Sequence, residues 1–308
     1  MHTFATRLST AIAASWLLML PAAAAPNVVV SIKPVQSLTA ALMQNVSTPS
    51  LIVDNNDSPH TFSLRPSDAQ SLQSADLVVW VGPELEAFLP KALETLAADA
   101  DILELDQAPG IALLPTRDID LDEGEAGHDE EDHHHGPVDM HLWLDPANAA
   151  AIANAIAAEL QKIDPENADA YAANLNALQT ELADFEQSLR DQLAGSGTGR
   201  PIVYHDAFQY FEHAFGLDVA GAVSINPEIA TSAAHLADLT GIVKANQADC
   251  VFVEPQFEPR LAQALAEQGG IQTIEADPLG SQFPAGPDQY AQLLQSLASA
   301  FENCRPGN

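Results

Sequence analysis

Five of the ten histidines fall between residues 128 and 141. They lie in the stretch GHDEEDHHHGPVDMHLWLDP, residues 127–146. Neutral imidazole is the commonest protein ligand for transition metals, so the chemistry on offer here is metal coordination. A cluster alone does not say which histidines form a defined site. Residues 118–139 hold ten acidic residues and four histidines, with almost nothing apolar. They read as a disordered loop. His128, His133, His134 and His135 in that loop are expected to bind metal weakly and at several places, gathering it or reporting its abundance, because fixing such a segment costs too much entropy. His141 differs. It adjoins the apolar segment HLWLDP, which can hold its side chain in one rotamer.

Further metal donors stand where strands should end. His60 lies in DNNDSPHTFSLRPSD, just after a predicted strand. His205 closes the strand PIVYH, and Asp277 closes IQTIEAD. In open α/β sheets, ligands bind beyond the carboxyl ends of strands. His60 and His141 belong to the first half of the chain, His205 and Asp277 to the second, so a site made from them lies in a cleft between two lobes. Three histidines with a carboxylate suit Zn²⁺, which takes four N and O ligands; Mn²⁺ would draw more carboxylate. Glu254, in VFVEPQF, also ends a strand and reads as a hydrogen-bonding partner. His213 and His235 sit in helical patterns and read as solvent or packing residues. Three histidines and an open position also describe a catalytic zinc. A zinc-dependent hydrolase or hydratase is therefore the alternative function, although neither HExxH nor a nucleophile motif is present.

The elements that must position these residues recur as apolar runs followed by helical stretches. The runs are 27–32, 50–55, 76–82 and 101–105, then HLWL, 201–205, 217–225, 250–255 and 271–277. Runs that are continuous instead of alternating imply strands covered on both faces, as in parallel α/β sheets. Each lobe has about four βα units. Between them, Leu175, Leu178, Leu182, Phe185, Leu189 and Leu193 step by three or four along one helix. Asp164 is the expected cap of that helix and Pro165 its first turn. The expected division is a first lobe over 26–160, a linking helix over 161–195 and a second lobe over 200–308.

Residues 1–24 have a basic start at Arg7, a short apolar run and then small residues, the pattern of a secretory signal peptide. Cleavage is expected near Ala24–Ala25. The run is too short to span a bilayer, and no cysteine stands near the cut to carry a lipid. The net charge is −32; such a surface repels nucleic acid and anionic lipid and attracts cations. The two cysteines, Cys250 and Cys304, suggest one disulfide in an exported chain. Two buried thiols, or a cysteine metal site, are the alternatives.

At these residues the chain becomes similar to a known family. HTFSLRPSDAQSLQSADLVVWVGPELEAFL, the acidic His loop running into MHLWLDP, YHDAFQYFEHAFGL, SINPEI, CVFVEPQF and ADPLG resemble the ZnuA family, the periplasmic zinc-binding components of bacterial ABC importers. The likeness covers essentially the whole mature chain, in order. It implies two βα lobes joined by one long rigid helix, with Zn²⁺ as transported ligand in the cleft and His60, His141 and His205 as its ligands. It implies a Cys250–Cys304 disulfide. It also implies a non-enzymatic, monomeric periplasmic protein that hands zinc to an ABC permease in the inner membrane without entering the bilayer itself. Some relatives carry Glu just before the first histidine; here Pro59 offers no donor, which leaves Asp277 or a water for the fourth position. In manganese-binding relatives the position of His205 tends to be Glu, so the histidine here favours zinc.

Overall fold

The computed structural model describes residues 25–117, 138–224 and 231–305. The expected signal peptide, 1–24, and the four loop histidines, His128 and His133 to His135, lie outside them.

Two four-stranded parallel sheets carry the fold. The first has the order β2-β1-β3-β4, made of β1 (Val28–Ile32), β2 (Ser50–Val53), β3 (Leu77–Trp80) and β4 (Asp101–Glu104). The central strands β1 and β3 are buried at every position, as β-branched runs with both faces covered should be. Helices α1 (Lys33–Leu42), α2 (Pro66–Gln73) and α3 (Pro90–Leu96) make the crossovers. The second sheet repeats the order as β6-β5-β7-β8, with β5 (Pro201–His205), β6 (Gly221–Ser224), β7 (Cys250–Val253) and β8 (Gln272–Glu275). Two parallel βα lobes of four strands each match the sequence reading.

HLWL is not a strand. Leu142–Leu144 form a 3-10 turn that runs into helix α4 (Pro146–Ile163). The Asp145 side chain accepts from the Ala147 amide and Pro146 opens the helix, so helix initiation takes over these residues. The long helix α5 spans Ala168–Ser196, 29 residues, or about 44 Å. It starts later than expected. Pro165–Asn167 make a separate 3-10 turn, and Asp164 ends α4 instead of capping α5. The Asp164 carboxylate accepts from Asn167 Nδ2 and the Tyr171 hydroxyl, both at 2.8 Å. The predicted stripe faces inward: Leu178, Leu182, Leu189 and Leu193 are buried and Leu175 and Phe185 partly so.

The apolar core is continuous between lobes. Val30 and Leu38 of the first lobe, Leu189 of α5, and Phe211, Leu294 and Phe301 of the second belong to one cluster. Helices α6 (Gln209–Phe215) and α9 (Gln289–Asn303) bring the last three. Helices α7 (Ala233–Lys244) and α8 (Arg260–Gly269) cover the other face of the second sheet around a smaller cluster. Polar ties reinforce the contact. Lys33 Nζ donates to the Ser281 and Phe283 carbonyls at 3.0 and 3.3 Å, and Trp143 Nε1 donates to the Pro278 carbonyl at 2.9 Å. The Tyr290 hydroxyl returns a bond to the Trp143 carbonyl at 2.8 Å. Lobes that share a core do not swing freely, so a site between them is preformed.

Cys250 at the start of β7 and Cys304 at the end of α9 are disulfide-bonded, with Cα atoms 5.4 Å apart. The bridge closes a loop of 54 residues, which stabilises the fold by about 4 kcal/mol on the chain-entropy account. Among the described residues, no helix is long and apolar enough to cross a membrane.

Candidate metal centre

Three histidines distant in sequence meet between the sheets. His205 is the last residue of β5, at its carboxyl end. His141 is the residue from which the Leu142–Leu144 turn starts. His60 lies in the loop between β2 and α2, where Pro66 opens the helix and fixes the return of the chain. Each offers a ring nitrogen, and the three nitrogens lie within 4.8 Å of one another. His141 Nε2 and His205 Nε2 are 3.2 Å apart. Two tetrahedral donors, each 2.0–2.1 Å from a zinc ion, stand about 3.3 Å apart, so this pair is already at the spacing the ion needs. His60 Nε2 is buried without a hydrogen-bond partner. A buried nitrogen that no protein group bonds, beside two others, is free to serve as a metal donor.

Carboxylates behind two of the rings determine which nitrogen faces inward. His205 Nδ1 is 2.7 Å from Glu254 Oε1, and His141 Nδ1 is 2.8 Å from Asp139 Oδ1. A carboxylate accepting from Nδ1–H holds the ring's proton there and leaves Nε2 bare for metal. The two carboxylates also match the two charges of a divalent ion, which three neutral imidazoles do not. Glu254 thus plays the partner role read from its position. Asp139 was missed: it fell inside the segment expected to be disordered, yet it is buried. Next to it Val138 makes an antiparallel bridge with Pro115, so the expected loop gives way to ordered chain by residue 138. The available signal was the spacing in VDMH, an acid two residues ahead of the metal-facing histidine.

Electrostatics separate the three rings. Burial, and the proximity of His141 and His205, hold His60 well below its ordinary 6.5. Burial also pushes His205 down, but Glu254, with Asp206 and Asp139, outweighs it and raises His205 above 6.5. Trp143, Phe257, Pro59, Pro278 and Leu279 form the apolar part of the small pocket around the rings, which Ser58 and Gln256 also line. These apolar walls exclude water and strengthen the field that the carboxylates exert.

Asp277 is not brought to the three nitrogens. It is buried, and its oxygens serve its own loop. Oδ1 accepts from the Leu279 amide at 2.9 Å and from Gln256 Nε2 at 2.8 Å, while Oδ2 accepts from the Ser281 amide at 2.5 Å. An Asp-Pro-Leu-Gly turn gives its carboxylate nearby amides to hold, and local amides win over a distant site. Of the other histidines, two are described: His213 on α6 is exposed, and His235 on α7 bonds the Ala222 carbonyl at 2.7 Å, in keeping with the solvent and packing roles read for them.

Comparison with known proteins follows the same line. Residues 28–304 match ZnuA, described as the zinc-uptake complex component A, periplasmic. The chain belongs to the ZnuA family. Among curated ZnuA proteins, the high-affinity zinc uptake system protein of Yersinia pestis is 38% identical, over 91% of this chain and 92% of its own. That of Brucella abortus (strain 2308) is 37% identical, again over 91% and 92%. The crystal structure of a zinc-bound ZnuA deletion mutant superposes with a TM-score of 0.76 at 27% identity, covering 92% of this chain and 99% of that one.

Proposed function

We propose that this protein captures Zn²⁺ in the periplasm and delivers it to an ABC-type importer, with the ion held by Nε2 of His60, His141 and His205. The single observation that carries this reading is the meeting of three buried ring nitrogens, two of them 3.2 Å apart, in a chain of the ZnuA family. Zinc is cargo here, and the protein supplies preformed donors, compensating carboxylates and a dry pocket. Both lobes contribute ligands from one chain, so a monomer suffices. The hydrolase reading gains nothing from these relatives, which are named as zinc uptake proteins.

The loop at 118–136 serves capture and not the tight site. The test is calorimetry on a chain lacking 118–136. Arg117 and Val138 remain, so Pro115 still pairs with Val138 and the deletion has closed ends. One tight zinc is expected to persist and the additional weak ones to vanish. Loss of the tight zinc would put the primary site in the loop.

Asp277 supports the pocket wall instead of supplying a ligand of equal weight. To reach the ion it would have to release the Leu279 amide or Gln256. Asp277→Asn is expected to weaken zinc binding by about tenfold, the low end for an outer-shell partner. Competition with a chelator measures it. A loss as large as that of a histidine-to-alanine change would make Asp277 the fourth ligand.

A further inference from the structure

The chain holds 11 basic residues against 43 acidic ones, and one of them is spent between the lobes. Arg117, on the first lobe, places its guanidinium between Asp206 and Glu212 of the second. Nε donates to Asp206 Oδ2 at 2.9 Å and Nη2 to Oδ1 at 2.6 Å. Nη1 and Nη2 donate to the two oxygens of Glu212 at 2.8 and 2.7 Å. Both carboxylates are buried. This is a double fork, which only the planar guanidinium provides.

The sequence neighbours of these groups matter more than the pair itself. Asp206 follows His205 directly. Arg117 lies two residues beyond Pro115, which bridges Val138, and Asp139 then holds His141. Tyr210 on α6 ties the same two strands: its hydroxyl accepts from the Leu114 amide at 2.9 Å and donates to the Asp139 carbonyl at 2.7 Å. The segment that bears His141 is therefore gripped by the β5–α6 connection, which bears His205. Asp206, Tyr210 and Glu212 do the gripping. His60 has no part in this joint; its loop returns to α2 within the first lobe.

The geometry points to Arg117 as a positioning residue for zinc binding: by locking the His141 segment to the β5–α6 connection, it presets the His141–His205 spacing. The inference rests on the three-histidine reading and goes beyond it. Without the fork the His141 segment keeps only the Tyr210 tie and the shared core, its spacing to His205 is less sharply set, and zinc must then restore it at a cost in affinity.

Charge alone predicts the opposite. Arg117 is a cation near the site, so removing it should favour a bound cation. The sign of the change therefore separates positioning from local charge. The experiment compares zinc affinity, by chelator competition on the whole folded chain, for wild type, Arg117→Met, Arg117→Lys and the double variant Arg117→Met with Glu212→Gln. The double variant removes one positive and one negative charge, so the local net charge equals that of wild type. Expected are weakenings of about tenfold or more for Arg117→Met and for the double variant, the range seen when groups that orient ligands are lost, and a smaller loss for Arg117→Lys, which keeps the charge but not the fork. If Arg117→Met fails to fold, the double and lysine variants carry the comparison. Unchanged or tighter zinc binding in the double variant overturns the inference. His205→Ala in parallel tests the site itself: if that change leaves zinc binding intact, the three-histidine reading fails, whatever Arg117 does.

Discussion

Replacing His205 with alanine is expected to weaken zinc binding by a factor of about a hundred to a thousand. Protein zinc sites release roughly 10–16 kcal/mol on binding, which shared among four ligands is about 2.5–4 kcal/mol each, and 1.4 kcal/mol is about tenfold. His205 should sit at the upper end of that range. Its Nε2 is 3.2 Å from His141 Nε2, so it supplies half of the preset pair, and its loss strands the buried Glu254 without its imidazole partner. That stranding also costs stability. Thermal melting of the metal-free variant separates the two effects. His60→Ala and His141→Ala should each lose zinc on the same scale, and only His60→Ala should leave the metal-free melting temperature nearly unchanged, because no protein group bonds His60 Nε2. Chelator competition reads the affinities. Tight binding retained by any of the three variants removes that residue from the ligand set.

Zinc affinity is expected to fall with decreasing pH, starting above pH 6.5. The sign follows from the rings. Zinc takes neutral Nε2, so any proton held in the metal-free protein must leave on binding. His60 is held well below 6.5, chiefly by burial, and is already neutral near pH 7. His205 is raised above 6.5, because Glu254, with Asp206 and Asp139, outweighs the effect of burial. It keeps its proton to a higher pH, and below that point affinity should drop by about tenfold per pH unit for each proton displaced. The reference value alone would put the onset lower, at about pH 6.5. Glu254→Gln tests the cause. It should move the onset of the decline to lower pH and, as an orienting partner, reduce affinity at pH 8 by about 10–100-fold. A pH profile identical to that of wild type would mean that Glu254 does not control the His205 proton.

Much of this molecule is written locally. Valine-rich runs without alternation, such as VVVSI and LVVW, can only be strands covered on both faces, and they became β1 and β3 of a parallel sheet. The leucine stripe of α5 needs nothing but helical spacing to declare its buried face. His205 was legible as a candidate ligand because it ends a strand, and strand ends are where such folds bind ligands. Local rules also misled where two elements competed for the same residues. HLWL has strand composition, but Asp145 and Pro146 start a helix immediately behind it, leaving room only for a turn. Asp164 is a good helix cap in isolation, and the tertiary contact with Tyr171 claims its carboxylate instead.

The site itself was decided by contacts distant along the chain. That His60, His141 and His205 converge depends on how two lobes share one core, and no local pattern encodes the 3.2 Å between two Nε2 atoms. Asp139 looked like one more acid in a solvated run; it is buried because Tyr210 and His141 surround it. Arg117 stands just before the same run, and only the fold sets it against Asp206 and Glu212. Asp277 went the other way, since a carboxylate beside three available donors is satisfied before it can reach a metal. Residue type and spacing determine which groups are able to bind an ion. Which of them face it is determined by the energetic demand that every buried polar group find a partner, and those partners come from elsewhere in the chain.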